Sequence, residues 1–207
     1  MQSFQAQGWS DGDRFACMLQ PWPELDRKTL TKVKFFEVIE ARRRSPRTQA
    51  DHDFFLVDCP DWINVVALTD ENKVVLVRQY RHGSDSFTLE IPGGAVDPGE
   101  DMIEAGRREL REESGYEARE VEYLGSVNPN PAFMMNRCGT LIARGCRRVG
   151  EIQNDPGEDL EVVELTAPEL RDALRAGQVD HALVFAALVW VELDAGPEQL
   201  LRATEGV

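Results

Sequence analysis

Between residues 94 and 116 the chain reads Gly94-Ala-Val-Asp-Pro-Gly-Glu100-Asp-Met-Ile-Glu-Ala-Gly-Arg-Arg108-Glu109-Leu110-Arg-Glu112-Glu113-Ser-Gly115-Tyr116, and no other stretch narrows the choice of fold as much. A glycine-rich loop over 92–99 leads into a helix over 101–114. The helix stops at Gly115, because glycine adopts the left-handed conformation that closes helices. Helical spacing places Glu109, Glu112 and Glu113 on one face. Met102, Ala105, Gly106 and Leu110 form a thin apolar stripe on the other, which needs a sheet to pack on. One side is thus anchored while the other repels itself. Like charges at this spacing destabilise a helix, and a hard divalent cation prefers oxygen ligands, so Mg²⁺ or Mn²⁺ is the natural compensation. Arg108, one turn from Glu104 and Glu112, can hold a carboxylate in position, a structural part rather than a substrate-binding one.

The flanking sequence supplies the sheet. Residues 1–30, with Pro21 and Pro23, read as an irregular lead-in or a first short strand. A strand is expected over 33–40, and 41–53 reads as a basic, polar hairpin loop in which Arg42, Arg43 and Arg44 form a solvated turn rather than a phosphate site. Further strands follow over 54–58, 62–68, 74–81 and 88–91, with a turn at 69–73. Beyond the helix, strands over 120–127 and 138–143 flank a proline-rich loop at 128–136, and another strand spans 160–165. A helix over 167–176 ends at Gly177, and the apolar segment 181–193 forms the last helix. There is no internal repeat and no low-complexity tract.

Length and charge narrow the partners. A chain of 207 residues with 42% hydrophobic content suits one main globular domain. A net charge of −14 opposes binding to nucleic acid or an anionic membrane, since such affinity comes from clustered Lys and Arg releasing counterions. A small phosphate-bearing substrate stays open, because metal ions and a few arginines reverse the sign locally. The four cysteines contain no C-x-x-C pair, and with three histidines they offer no readable zinc site. Residues 1–15 lack the basic flank and apolar run of a signal peptide, so free thiols in a reducing cytoplasm are expected. The apolar run 182–191 is half the length needed to span a bilayer.

A glutamate-rich amphipathic helix is ordinarily just a solvated face. Here the spacing G-x5-E-x7-R-E-U-x-E-E-x-G-U, with U a bulky apolar residue, resembles the Nudix box at every fixed position. At roughly 5–8% usage per residue type, seven identities arise by chance on the order of once in 10⁸ starting points. Tyr116 departs mildly from the pattern, being aromatic where an aliphatic residue is commoner. Gly106 costs the helix about 1 kcal/mol relative to Ala. The phrases Val77-Arg78-Gln79-Tyr80-Arg81 and Leu89-Glu90-Ile91-Pro92-Gly93-Gly94, with Pro131 about fifteen residues past the box, resemble the branch acting on ADP-ribose and other nucleoside diphosphate sugars.

The resemblance implies a fold, a site and a reaction. The fold is α/β: an α/β/α sandwich on a mixed β-sheet over 51–207, preceded at 1–50 by strands that help build a homodimer. Glu109 and Glu113 match the principal metal ligands, Glu112 the carboxylate that ligates or supports them, and Gly93 a backbone-carbonyl ligand. Glu100 matches an outer loop carboxylate. Glu158 resembles the acidic loop residue that gives a further ligand or the general base, with Asp155 and Asp159 as rivals. Catalysis thus falls to Glu112, Glu113 and Glu158. Arg81 resembles an arginine that grips the substrate phosphates, with Arg78 the weaker candidate; either can instead be a plain strand-end arginine. Trp22, Phe35 and Phe36 could stack on a base, though apolar core is the stronger reading.

The implied chemistry is attack of water on a P–O–P bridge, assisted by Mg²⁺ or Mn²⁺, with no covalent nucleophile. The substrate is a small nucleoside diphosphate derivative, released as a nucleoside monophosphate and a sugar phosphate. The competing readings are a nucleoside triphosphate sanitiser and a non-catalytic Nudix-like sensor of nucleotide sugars. Sensors of that kind typically lose box carboxylates, and none is missing here. A dinucleotide-binding reading fails for want of G-x-G-x-x-G.

Overall fold

The two β-branched runs around residue 70 form the centre of the molecule. A computed structural model describes residues 19–153, 157 and 159–194. In it β4 (Trp62–Thr69) and β5 (Val74–Arg81) join through the expected turn. Both are buried for most of their length, so neither face meets water and both sides must be covered.

Period-two alternation decides which side chain faces which layer. Ile63, Val65 and Ala67 of β4 point into one core with Ala105 and Leu110 of α1 (Met102–Ser114). Val66 and Leu68 point into a second core with Leu170 of α2 (Ala167–Arg175) and Val184, Ala187 and Leu188 of α3 (Ala182–Leu193). Leu141 and Ile142 of β10 (Cys138–Arg148) divide in the same way. The result is the expected helix–sheet–helix sandwich.

The main sheet runs β11 (Glu161–Leu165), β5, β4, β10, β8 (Tyr116–Glu117). Three further strands attach to it: β6 (Ser86–Glu90) on β5, β7 (Gly93–Ala95) on β4, and β9 (Glu120–Val127) on β10. The β4–β10 pair is parallel and the other pairings are antiparallel, so the sheet is mixed. β7 lies inside the stretch read as an open loop, and its glycines leave no side-chain pattern to betray it. No helix among the described residues is long and apolar enough to cross a membrane.

Two oddities of the box become packing facts. A Cβ on Gly106 would sit 2.2 Å from the Leu141 side chain, so the helix accepts a poor helix former in order to approach the sheet closely. Tyr116 is buried, and its hydroxyl donates to Glu164 on β11, which also pairs with Lys73. Burial and then the carboxylate push the phenol up to about 12. The hydroxyl thus ties β8 to β11, a contact no aliphatic residue could make.

The N-terminal region differs more from expectation. β1 (Glu24–Lys32), β2 (Glu37–Arg44) and β3 (Asp51–Asp58) form a separate antiparallel sheet, which runs eight residues beyond the boundary at 50. The basic stretch is strand, not turn: Arg42 pairs with Asp53, Arg43 with Glu24 and Arg44 with Asp51. Each arginine meets an acid on a neighbouring strand, a pattern invisible until the register is known. Phe35 and Phe36, expected as core, are exposed, and Trp22 is partly exposed and packs edge-on against His52 and Phe54. The proline-rich loop ties this sheet to the sandwich, since the Val57 N–H donates to the Phe133 carbonyl at 2.8 Å and the Met135 N–H to that of Val57 at 3.0 Å.

Candidate active site

Arg108 ties part of the acidic face of α1 together. Asp101 caps the helix by accepting the Ile103 N–H, and Gly115, at φ 74°, ends it. Between them Arg108 donates to Glu100 at 3.0 Å, Glu109 at 2.7 Å, Glu112 at 3.2 Å and the Ala95 carbonyl at 3.0 Å. The Glu100 carboxylate, followed by Glu109, holds Arg108 still more firmly in its charged form, and Arg108 in turn lowers Glu100. Glu104 is not among these partners. Arg108 therefore fastens the preceding loop to the helix while neutralising part of the self-repulsion.

The carboxylates differ in placement. Glu113 is buried, and its Oε2 accepts the Gly93 N–H at 2.8 Å. Glu109 lies against Gly94 so closely that a Cβ there would stand 2.5–2.7 Å from the carboxylate. Glu112 is half exposed at the outer edge. The β7 backbone is thus pressed onto the helix through two glycines, each needed for room. Gly93 itself has no space for a Cβ because the Ile63 carbonyl oxygen lies 2.2 Å from that position.

This donor set suits a hard divalent cation: carboxylate oxygens on one helical face, seated in a glycine cradle that any side chain would fill. Among the described residues no three His, Cys, Asp or Glu side chains form a ready-made cage. Arg108 stands where it compensates Glu109 and Glu112. Glu158 and its rival Asp155 lie outside the described residues, and Asp159 is exposed.

Beside this face opens a cavity of about 970 Å³, lined among others by Glu113, Gly93, Arg81, Glu90, Phe36 and His181. Its volume matches the upper range of ligand pockets. Arg81 reaches it from the end of β5 and grips Glu90 in a two-pronged fork, at 2.6 and 2.7 Å. Arg78 does not reach it. Three residues earlier on the strand, Arg78 points to the other face, pairs with Glu161 at 3.6 Å, lies over the Phe87 ring and lines a separate groove.

The structure thus gathers Glu113, Gly93 and Arg81 around one cavity, with Glu109 and Glu112 on the helix behind. Sequence reasoning missed Glu90 and His181. Glu90 carried a signal, since a lone carboxylate between Leu89 and Ile91, if buried, requires a charged partner. His181 carried none, because its neighbour from β6 is remote in sequence.

The mixed-sheet sandwich, with an acidic helix bordering such a cavity, can be compared with known proteins. The NUDIX domain family matches residues 61–188. A methanol dehydrogenase activator from Bacillus methanolicus is 31% identical over 139 residues, covering 67% of this chain and 75% of its own length. An ADP-ribose pyrophosphatase from Bacillus subtilis is 28% identical over the same shares of each chain. The crystal structure of an ADP compounds hydrolase superposes with a TM-score of 0.75 at 24% identity, over 84% of this chain and 94% of that one, a likeness of fold. The chain belongs to the Nudix family, as an enzyme of its pyrophosphohydrolase class.

Proposed function

We propose that this enzyme hydrolyses the diphosphate bridge of ADP-ribose or a related nucleoside diphosphate sugar, releasing a nucleoside monophosphate and a sugar phosphate. The observation that carries the reading is the single cavity in which a box carboxylate, a forked arginine and exposed aromatic rings meet. A diphosphate needs the first two, and a nucleoside with its flat base suits the third. The similarity to a protein named ADP-ribose pyrophosphatase supports the same substrate class.

In this proposal Glu109, Glu112, Glu113, the Gly93 carbonyl and Glu158 hold Mg²⁺, or Mn²⁺ in its place. When bound, such ions neutralise the diphosphate and lower the pKa of the attacking water. Glu112, Glu113 and Glu158 form the catalytic set, one of them receiving the proton of that water. Arg108 keeps the carboxylates from splaying apart. Arg81 binds a phosphate while Glu90 fixes the plane of its guanidinium. Phe35 and Phe36 border the space for the base.

The test is a panel of nucleotide sugars and deoxynucleoside triphosphates with Mg²⁺. ADP-ribose or a related sugar nucleotide is expected to exceed every triphosphate at least tenfold in kcat/KM, about 1.4 kcal/mol of transition-state binding. Arg81→Ala raises KM for the sugar nucleotide and, by loosening the diphosphate, lowers kcat. A better triphosphate substrate together with unchanged Arg81→Ala kinetics would overturn the substrate assignment and leave the family chemistry standing.

The N-terminal sheet supports a second element of the proposal, a homodimer. Among the described residues Phe55 is 58% exposed on a three-stranded sheet and Phe35 67% exposed in the turn between β1 and β2, and so small a sheet gains stability from a covering partner. Light scattering should give twice 23.3 kDa; a monomer at micromolar concentration would contradict it. Among the described residues Cys59, Cys138 and Cys146 are free thiols.

A further inference from the structure

We infer that His181 is a positioning residue that sets the substrate arginine through Glu90; the inference rests on the reading of Arg81 as a phosphate-binding residue.

His181 is the N-cap of α3, and its Nδ1 accepts the Leu183 N–H at 3.2 Å. An acceptor nitrogen carries no hydrogen, so in the neutral ring the proton sits on Nε2. That nitrogen faces Glu90, 4.0 Å from Oε2. The distance exceeds a hydrogen bond, so the contact is electrostatic, an N–H dipole aimed at a carboxylate. Glu90 is only 5% exposed, and with so little water to screen it, a dipole at this range still counts.

The placement is built, not incidental. The Leu89 N–H donates to the Gln178 carbonyl at 2.9 Å, which pins the segment entering α3 to the strand that carries Glu90. Val179 in the same segment is fully buried and anchors it in the second core. Two elements far apart in sequence are thereby locked so that the ring and the carboxylate face each other. Glu90 holds Nε and Nη2 of Arg81, so whatever turns the carboxylate turns the guanidinium plane. His181 also lines the cavity, yet the role assigned to it acts through Glu90 and involves no proton transfer to substrate.

The experiment uses His181→Asn and His181→Ser, both good N-caps that leave the helix start satisfied while removing the Nε2–H. Kinetics with ADP-ribose and Mg²⁺, and thermal melts, are measured in the full-length chain and again in an Arg81→Lys background. The expected result is a KM raised by about fivefold or more with kcat within about twofold, an unchanged melt, and an effect of under about twofold once Arg81 is Lys. An unchanged KM in both variants overturns the inference. So does an equal KM effect in the two backgrounds, which would mean that His181 acts independently of Arg81. If Arg81→Lys alone leaves KM untouched, the reading of Arg81 fails and takes this one with it. That outcome is distinct from an Arg81→Lys effect that His181 does not modulate.

Discussion

Glu113→Gln is expected to lower kcat by at least about 10²-fold, the scale of losing a key electrostatic contact at a reaction centre. Glu113 stands on the cavity wall, buried, with its Oε2 accepting the Gly93 N–H. The amide has the same shape, and its carbonyl oxygen still accepts that N–H, so the fold survives. The negative charge does not, and with it go the hard-cation ligand and the proton acceptor proposed for this position. Saturating kinetics beside a thermal melt separate the two effects. A folded variant turning over at a near-normal rate would refute the role given to this carboxylate.

Gly94→Ala should be nearly as damaging, although it removes no charge and no ligand. The added methyl would fall 2.5–2.7 Å from the Glu109 carboxylate, which must move aside. The end of a flexible side chain yields easily, so stability changes little, but moving a proposed cation-binding carboxylate by about 1 Å costs on the order of 10²-fold. Gly150→Ala, with nothing within 4 Å of the new methyl, is the control and should behave as wild type. Gly93→Ala should act differently, because its obstacle is the Ile63 backbone carbonyl at 2.2 Å and β7 would lose its place on β4. If Gly94→Ala keeps full activity, the cradle is not needed to hold Glu109.

The parts legible in the sequence were those governed by local rules. The strand Val74–Arg81 and the helix ending at Gly115 lie where periodicity and the glycine stop put them. Both faces of β4 are apolar because both are covered, which the continuous run Val65-Val66-Ala67-Leu68 already expressed. The illegible parts depend on register. Arg42, Arg43 and Arg44 look like a solvated turn until Asp53, Glu24 and Asp51 appear opposite them. Phe35 and Phe36 look like core because hydrophobicity alone does not say whether a chain folds over them.

The site divides the same way. Glu109, Glu112 and Glu113 share a helix and announce themselves by spacing. The fork between Arg81 and Glu90 joins neighbouring strands, and the approach of His181 to Glu90 joins a strand to a helix some ninety residues later in the chain. Of the two strand arginines that resembled phosphate ligands, the pleat turns Arg81 to the cavity and Arg78 away from it. A one-dimensional pattern gives their spacing, while the assignment of faces needs the sheet.

The most direct test of the central claim is a mass-spectrometric assay of ADP-ribose with the purified enzyme, run with Mg²⁺, with chelator, and with Mg²⁺ restored. AMP and ribose 5-phosphate are expected with metal, neither product under chelation, and recovery on readdition. Turnover that persists in excess chelator, or an ADP-ribose left intact while Mg²⁺ is present and other diphosphates are cleaved, would contradict it.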